Sequence, residues 1–232
     1  MPERHRRPPC LCFSQGRMTD RSGMGMQMNT AIIDYDAGNL KSVEKALQKI
    51  GVTPRITRDP AEILSADHII LPGVGNFGDA AAKLKEYELE DVIREAVRRE
   101  IPFLGICLGM QLLFEESEEA PGAKGLGLLP GKILRIPAAE GLKIPHMGWN
   151  SLDVTPGARL FQGLPEEPYV YFVHSYFLKA GCESDVAAKT HYSCEIHASV
   201  EHGNLFGCQF HPEKSGQVGL AILENFLKTG GK

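Results

Sequence analysis

Residues 101–113 read IPFLGICLGMQLL: an apolar run over Pro102–Ile106, then Cys107 flanked by Gly105 and Gly109, then residues that continue as a helix. A buried strand that enters a helix through Gly-x-Cys-x-Gly is a nucleophile elbow with cysteine as the nucleophile. The glycines have a steric reason. The nucleophile sits on a tight, strained turn, and side chains beside it would collide with the neighbouring strand and helix. A helix N-terminus favours the thiolate through its unsatisfied N–H groups and its dipole, and the N–H of Leu108 is then free to face an oxyanion. The bland alternative is a buried structural cysteine. The strand–turn–helix context argues for the nucleophile.

On the N-terminal side, Thr30–Tyr35 (TAIIDY) predicts a short buried strand and Asp36-Ala37-Gly38-Asn39 a turn. Leu40, Val43, Leu47 and Ile50 then share one helical face, closed by Gly51. Thr53–Thr57 reads as a strand, Asp59–Leu64 as a short helix, His68–Leu71 as a strand, and Asp79–Glu100 as two helical stretches. Strand alternating with helix means βαβ units and a parallel sheet. From about Gly125 the texture changes to short β-rich segments, including Tyr169–Phe177, Ile196–Val200 and Leu205–Phe210, before an amphipathic helix over roughly Gly216–Lys228. No internal repeat and no interdomain linker interrupts this, so residues 28–232 read as one domain.

The chain has 232 residues, enough for a buried core, with a net charge of −4. That balance leaves no global basic field and argues against nucleic acid as the principal partner. The longest apolar candidate, Ile101–Phe114, falls short of the roughly 18 residues a membrane span needs and carries Pro102, Gly105 and Gly109. A soluble protein with no membrane partner is expected. Six cysteines (Cys10, Cys12, Cys107, Cys182, Cys194, Cys208) are too few for a disulfide scaffold and fit reduced thiols in the cytoplasm.

Residues 1–27 differ from the rest. Arg4, Arg6, Arg7, Arg17 and Arg21 face only Glu3 and Asp20, so +3 of the total −4 lies here and the other 205 residues carry −7. The segment has no periodicity, and Cys10–Phe13 is too short for a signal-peptide core. It is expected to be a disordered or mis-annotated extension, with Met28 as the working start; a targeting or regulatory tail is the alternative.

A cysteine nucleophile needs a base and a group that orients the base. Of eight histidines, His211 stands out, because it follows the apolar strand Leu205–Phe210 and opens His211-Pro212-Glu213. Pro212 fixes the backbone between two functional side chains, and Glu213 is near enough to hold the imidazole in one tautomer. Two other patterns compete for attention. Gly73-Val74-Gly75-Asn76-Phe77-Gly78 matches the dinucleotide fingerprint, but it follows the third strand, after Pro72, and no strand ending in an acid comes ~20 residues later. Cys194-x-x-His197 with Cys208-x-x-His211 resembles a zinc pattern, but on strands residues three apart face opposite sides. No cofactor and no metal are expected.

Pro72-Gly73-Val74-Gly75, the elbow through Gln111, and the distant His211-Pro212-Glu213 together resemble the class I (triad) glutamine amidotransferases. Gly75-Asn76-Phe77-Gly78, Leu112-Leu113-Phe114-Glu115 with Glu118-Glu119-Ala120-Pro121-Gly122, Pro145-His146-Met147-Gly148-Trp149-Asn150 and Phe172-Val173-His174-Ser175-Tyr176 are similar, within that family, to the glutaminase subunits of imidazole glycerol phosphate synthases. The likeness runs from about residue 30 to 228.

The resemblance implies a three-layer, flavodoxin-like α/β fold with a mostly parallel central sheet and an extra β-rich C-terminal half. It implies hydrolysis of L-glutamine by Cys107, His211 and Glu213, with the oxyanion held by backbone N–H groups of Leu108 and of the Gly73-Val74-Gly75 loop. It puts Gln111, Glu119, Ser175 and Tyr176 on the substrate, the last two through their backbone. It puts Asn39, Trp149 and Lys214 against a partner, a (βα)8-barrel cyclase subunit that receives the ammonia in a heterodimer. Two alternatives stay open. Glu119 also fits the solvated acidic run Glu115–Glu119, and Trp149, the only tryptophan, suits either a contact surface or a core.

Overall fold

The computed structural model describes residues 29–230. The expected extension over residues 1–27 lies outside the described residues. The first half runs β1 (Thr30–Ile33), α1 (Leu40–Lys49), β2 (Arg55–Thr57), α2 (Pro60–Leu64), β3 (His68–Leu71), α3 (Phe77–Glu86), α4 (Leu89–Arg98), β4 (Phe103–Ile106) and α5 (Leu108–Gln111). Local chemistry sets several of these limits. Asp59 caps α2 by accepting from the N–H groups of Ala61 and Glu62, with Pro60 opening the helix. Gly51, at φ +85°, turns the chain out of α1.

The second half contributes β5 (Glu116–Ser117), β6 (Gly131–Arg135), β7 (His146–Ser151), β8 (Asp153–Val154), β9 (Tyr169–His174), β10 (Tyr176–Ala180), β11 (Val186–Tyr192), β12 (Cys194–His202), β13 (Leu205–Cys208) and α6 (Gly216–Leu227). The large sheet has the order β2-β1-β3-β4-β13-β12-β10-β6-β5. Its first five strands are mutually parallel; from β13 to β12 to β10 to β6 the neighbours are antiparallel. The parallel part is the doubly wound order in which ligands sit beyond the strands' carboxyl ends. Three layers follow from the two-residue period of a strand. Ala31, Ile33, Ile69, Leu71 and Phe103 pack with α2, α3 and α4, while Ile32, Ile70, Leu104 and Ile106 pack with α1 and α6.

One predicted strand divides. Tyr169–Phe177 breaks at Ser175 because the chain changes sheets there: β9 pairs with β7 in a separate ribbon, and β10 joins β6 in the large sheet. The helix after the elbow is a single turn. Among the described residues, no helix is long and apolar enough to cross a membrane.

Candidate active site

Cys107 leaves β4 at φ 54° and ψ −109°, a conformation that costs a non-glycine residue roughly 1–3 kcal/mol. The surroundings hold it there. Its N–H donates to the Cys208 carbonyl at 2.7 Å, and its own carbonyl accepts from Gln111 N–H at 3.1 Å. A Cβ on Gly109 would fall on the Leu71 carbonyl oxygen, and one on Gly105 would lie 2.7 Å from Met110 Cα. Glycine at both positions therefore lets the one-turn helix close over the strand ends.

The partner of Cys107 arrives through sheet register. β13 runs parallel beside β4 with Gly207 opposite Gly105 and Cys208 opposite Ile106, so His211, three residues on, comes out beside the elbow. Its N–H donates to the Tyr171 carbonyl at 2.9 Å, and its carbonyl accepts from Ser215 Oγ at 2.7 Å. The buried ring donates from Nδ1 to Glu213 Oε1 at 2.7 Å, which leaves Nε2 as the atom available to the reaction. Asn39 Nδ2 donates to the same carboxylate oxygen at 2.6 Å. Burial works to lower the His211 pKa. The neighbouring Cys107 and Glu213 outweigh it and raise the group to about 9. Nε2 has no aligned acceptor in this resting arrangement, a common state for catalytic contacts before substrate binds.

The expectation of a free Leu108 N–H is corrected: it donates to the Gly73 carbonyl at 3.3 Å. The Gly73–Val74 peptide turns its oxygen, not its N–H, toward the elbow. Tyr35 Oη donates to the Pro72 carbonyl at 2.8 Å just upstream, and a Cβ on Gly73 would strike that hydroxyl.

A pocket of about 370 Å³ opens over Cys107 and brings together Val74, Gly75, Leu108, Gln111, Glu119, Ser175 and Tyr176. Glu119 is half-buried, and its Oε2 accepts from Phe77 N–H at 2.8 Å, which draws it out of the acidic run and toward the start of α3. The carbonyls of Ser175 and Tyr176 are engaged inside the protein. Ile136 N–H donates to the first at 2.9 Å; His174 Nδ1 and Gln111 Nε2 donate to the second at 2.8 and 3.1 Å. Of their backbone groups, only the N–H side is left for a ligand. Behind them His146 Nδ1 donates to His174 Nε2 at 3.0 Å. Burial depresses this pair to about 4 and about 3, so both rings are neutral and serve as fixed hydrogen-bonding groups.

Asn39, Val74 and Lys214 border a second, more open depression of about 560 Å³. Trp149 is 56% exposed, on a ribbon that also shows Met147 and Tyr169 to solvent. Its place is therefore the surface, not the core. Sequence reasoning missed that Asn39 touches the triad. It also missed Gln209, fully buried two residues before His211, whose Nε2 lies 3.6 Å from Cys107 Sγ. The signal for Gln209 was its place in the same strand end as His211.

The two Cys-x-x-His pairs go to different places. Cys208 and His211 adjoin the elbow, while His197 packs beside Glu183 and Glu195. Lys189 Nζ lies 2.5 and 3.2 Å from those carboxylates. Ala180 N–H donates to His197 Nδ1, which puts the ring proton on Nε2. That nitrogen has no lone pair to offer a metal.

The family model described as "Glutamine amidotransferase class-I" matches residues 31–229. "Imidazole glycerol phosphate synthase subunit HisH" of Thermosynechococcus vestitus is 54% identical over 199 residues, 85% of this chain and 95% of the relative. The subunit of that name from Moorella thermoacetica is 51% identical, over 84% of this chain and 92% of its own length; that of Methanothermobacter thermautotrophicus is 47% identical, over 85% and 97%. Among solved structures, PurLQS from Thermotoga maritima superposes with a TM-score of 0.69 at 23% identity, covering 87% of this chain and 98% of that one. A glutamine amidotransferase from the same organism gives 0.59 at 18%, covering 87% and 83%. At these identities the structures speak for the fold alone.

Proposed function

The chain belongs to the class I glutamine amidotransferase family, and from that membership we propose that it is the glutaminase subunit of an imidazole glycerol phosphate synthase, hydrolysing L-glutamine to glutamate and ammonia for histidine biosynthesis. The observation that carries this reading is the register of β13 on β4, which brings His211, held by Glu213, beside the strained Cys107.

Glutamine enters the pocket with its side-chain amide over the elbow. Cys107 thiolate attacks the amide carbon; the C–N bond breaks as His211 gives its Nε2 proton to the departing ammonia. Water then adds to the thioester, its proton passes back to His211, and the C–S bond breaks to release glutamate and the thiolate. Proton transfer of this kind contributes roughly 10²–10⁴-fold. Glu213 keeps the imidazole in the productive tautomer and stabilises the imidazolium. Val74 N–H and Leu108 N–H are the oxyanion donors once the Gly73–Val74 peptide turns, each worth roughly 10²–10³-fold. Gln111 and Glu119, with the N–H groups of Ser175 and Tyr176, hold the amino-acid end.

The partner is a cyclase subunit of (βα)8-barrel type, and the ammonia passes to it without entering bulk solvent. The exposed apolar side chains of Met147, Trp149 and Tyr169 and the Asn39–Lys214 depression support docking of a partner. The free thiols of Cys107, Cys182, Cys194 and Cys208 support the cytoplasm, where thiols are kept reduced. The test is Cys107→Ala in the complex with the cyclase. Glutamine-dependent synthesis should vanish while synthesis from ammonium salts survives, and retained glutaminase activity would overturn the assignment.

A further inference from the structure

Gln209 is not one of the triad, yet its side chain is the polar group that reaches the nucleophile from below. It is fully buried, fixed by its own N–H to the Ala198 carbonyl at 2.9 Å, and its Nε2 lies 3.6 Å from Cys107 Sγ, within reach of a hydrogen bond to sulfur. Its orientation is forced from outside. The Tyr176 carbonyl can only accept, so Gln111 must present its NH₂ group there, at 3.1 Å. The same nitrogen gives its other hydrogen to Gln209 Oε1 at 2.9 Å. Gln209 must therefore turn its own NH₂ toward the sulfur. His174 Nδ1–H reinforces the anchor from the other side, and His146 fixes the His174 tautomer. His174 and Gln111 converge on the Tyr176 carbonyl, and from Gln111 the donors run through Gln209 to Sγ.

We propose that Gln209 is a catalytic hydrogen-bond donor to the Cys107 sulfur, aimed by Gln111 so that the nucleophile and the floor of the glutamine pocket share one amide chain. The inference rests on Cys107 being the nucleophile. A neutral amide cannot take the thiol proton, so its work differs from that of His211. A hydrogen bond to a thiolate is charge-assisted, whereas one to a thioester sulfur is weak. Gln209 thus favours the state in which sulfur carries charge. It raises the fraction of thiolate before attack, and it stabilises sulfur as the leaving group when water opens the thioester: the C–S electron pair returns to sulfur as the acyl carbon takes the hydroxyl group of water. It disfavours the intermediate stage, so the acyl-enzyme does not accumulate.

The experiment is the pH dependence of iodoacetamide alkylation at Cys107, followed by peptide mass spectrometry in the full chain, for wild type, Gln209→Met and Gln209→Glu. Methionine keeps the volume and removes the donor, and the alkylation midpoint should rise by about one pH unit, the size of shift one hydrogen bond to a charged group supports. Glutamate puts a carboxylate against the sulfur and should move the midpoint further in the same direction. In rapid-quench turnover Gln209→Met should build up glutamyl thioester that wild type does not show. Midpoints unchanged in folded variants would overturn the proposal. Side-chain amide NMR of the wild-type chain tests it without substitution: the Gln209 Nε2–H resonances should follow thiol ionisation in wild type and not in Cys107→Ala, and resonances indifferent to it would equally overturn the role. Failure of the nucleophile assignment itself reads out separately, as glutaminase activity surviving in Cys107→Ala.

Discussion

The N–H of Leu108 donates to the carbonyl oxygen of Gly73 at 3.3 Å, so one proposed oxyanion donor is occupied by the loop proposed to supply the other. Rotating the Gly73–Val74 peptide would free Leu108 and bring Val74 N–H inward in one motion. Gly75, already at φ +107°, gives the loop a residue that tolerates such a change.

The first prediction follows from that pairing. The subunit alone should turn over glutamine slowly, faster with the cyclase, and fastest with the cyclase and its nucleotide. A single missing oxyanion donor costs roughly 3–4 kcal/mol of transition-state stabilisation, enough to suppress turnover with the triad intact. The partner must bind the turned loop more tightly than the resting one, since contact alone shifts nothing. Val74 and Lys214 border the same depression, so Lys214→Ala should raise basal turnover or weaken the nucleotide response while Cys107 alkylation stays the same. Equal rates in all three assemblies would refute the gate.

The second prediction concerns pH. His211 is raised to about 9, against an ordinary value of 6.5, and the protonated form is the one that gives ammonia its proton. kcat/KM for glutamine should therefore hold through neutral pH and fall as pH rises through about 9. Glu213→Gln removes the charge that favours imidazolium, so the alkaline limb should move to lower pH, with kcat reduced on the order of 10²–10⁴-fold. A limb that stays in place in Glu213→Gln would separate Glu213 from the titration.

The third prediction distinguishes Asn39 from a bystander on the surface. Asn39 Nδ2 and His211 Nδ1 share Glu213 Oε1 at 2.6 and 2.7 Å, so they compete for one oxygen. Asn39→Ala leaves the carboxylate to His211 alone and should move the alkaline limb upward, opposite in sign to Glu213→Gln. Loss of a hydrogen bond to a charged group should also lower stability by roughly 1.5–3 kcal/mol, read by urea unfolding. An unmoved limb would leave Asn39 with no part in the titration of His211.

What the sequence disclosed, and what it withheld, divides by the range of the interaction. The parallel units and the elbow were readable because each is local: four-residue apolar runs, Gly105 and Gly109 about one cysteine, and Gly51 after a helical face. His211 was legible because its motif is contiguous with Glu213. The direction of the Gly73–Val74 peptide was not, because it is a single torsional choice made against Leu108, and either orientation suits the same residues. Asn39 meets Glu213 across 174 positions, and Gln209 meets Gln111 across 98. Such pairs exist only once β4 and β13 lie side by side. The change of sheet at Ser175 was hidden for a similar reason, since β9 and β10 have one continuous β-forming sequence and differ only in their partners.

The last prediction concerns residues 1–27. The HisH relative from Thermosynechococcus vestitus covers 85% of this chain while using 95% of its own length, so a segment of this chain has no counterpart there. Each residue assigned to the triad, the oxyanion loop and the pocket lies at or beyond Asn39. β1 is anchored without the segment: Asn29 N–H donates to Asp67 Oδ2 at 2.8 Å, and its carbonyl accepts from Asp67 N–H at 2.7 Å, which sets Thr30 beside His68 in the first parallel pair. A chain beginning at Met28 keeps all of these bonds. Its thermal midpoint should lie within about 2 °C of the full-length value, a difference of about 0.5 kcal/mol or less. Its glutaminase activity with the cyclase should match the full chain. Mass spectrometry of protein from the native host should find an N-terminus at or near Met28. A stable product beginning at Met1 whose activity falls on truncation would make the segment a working part of the enzyme.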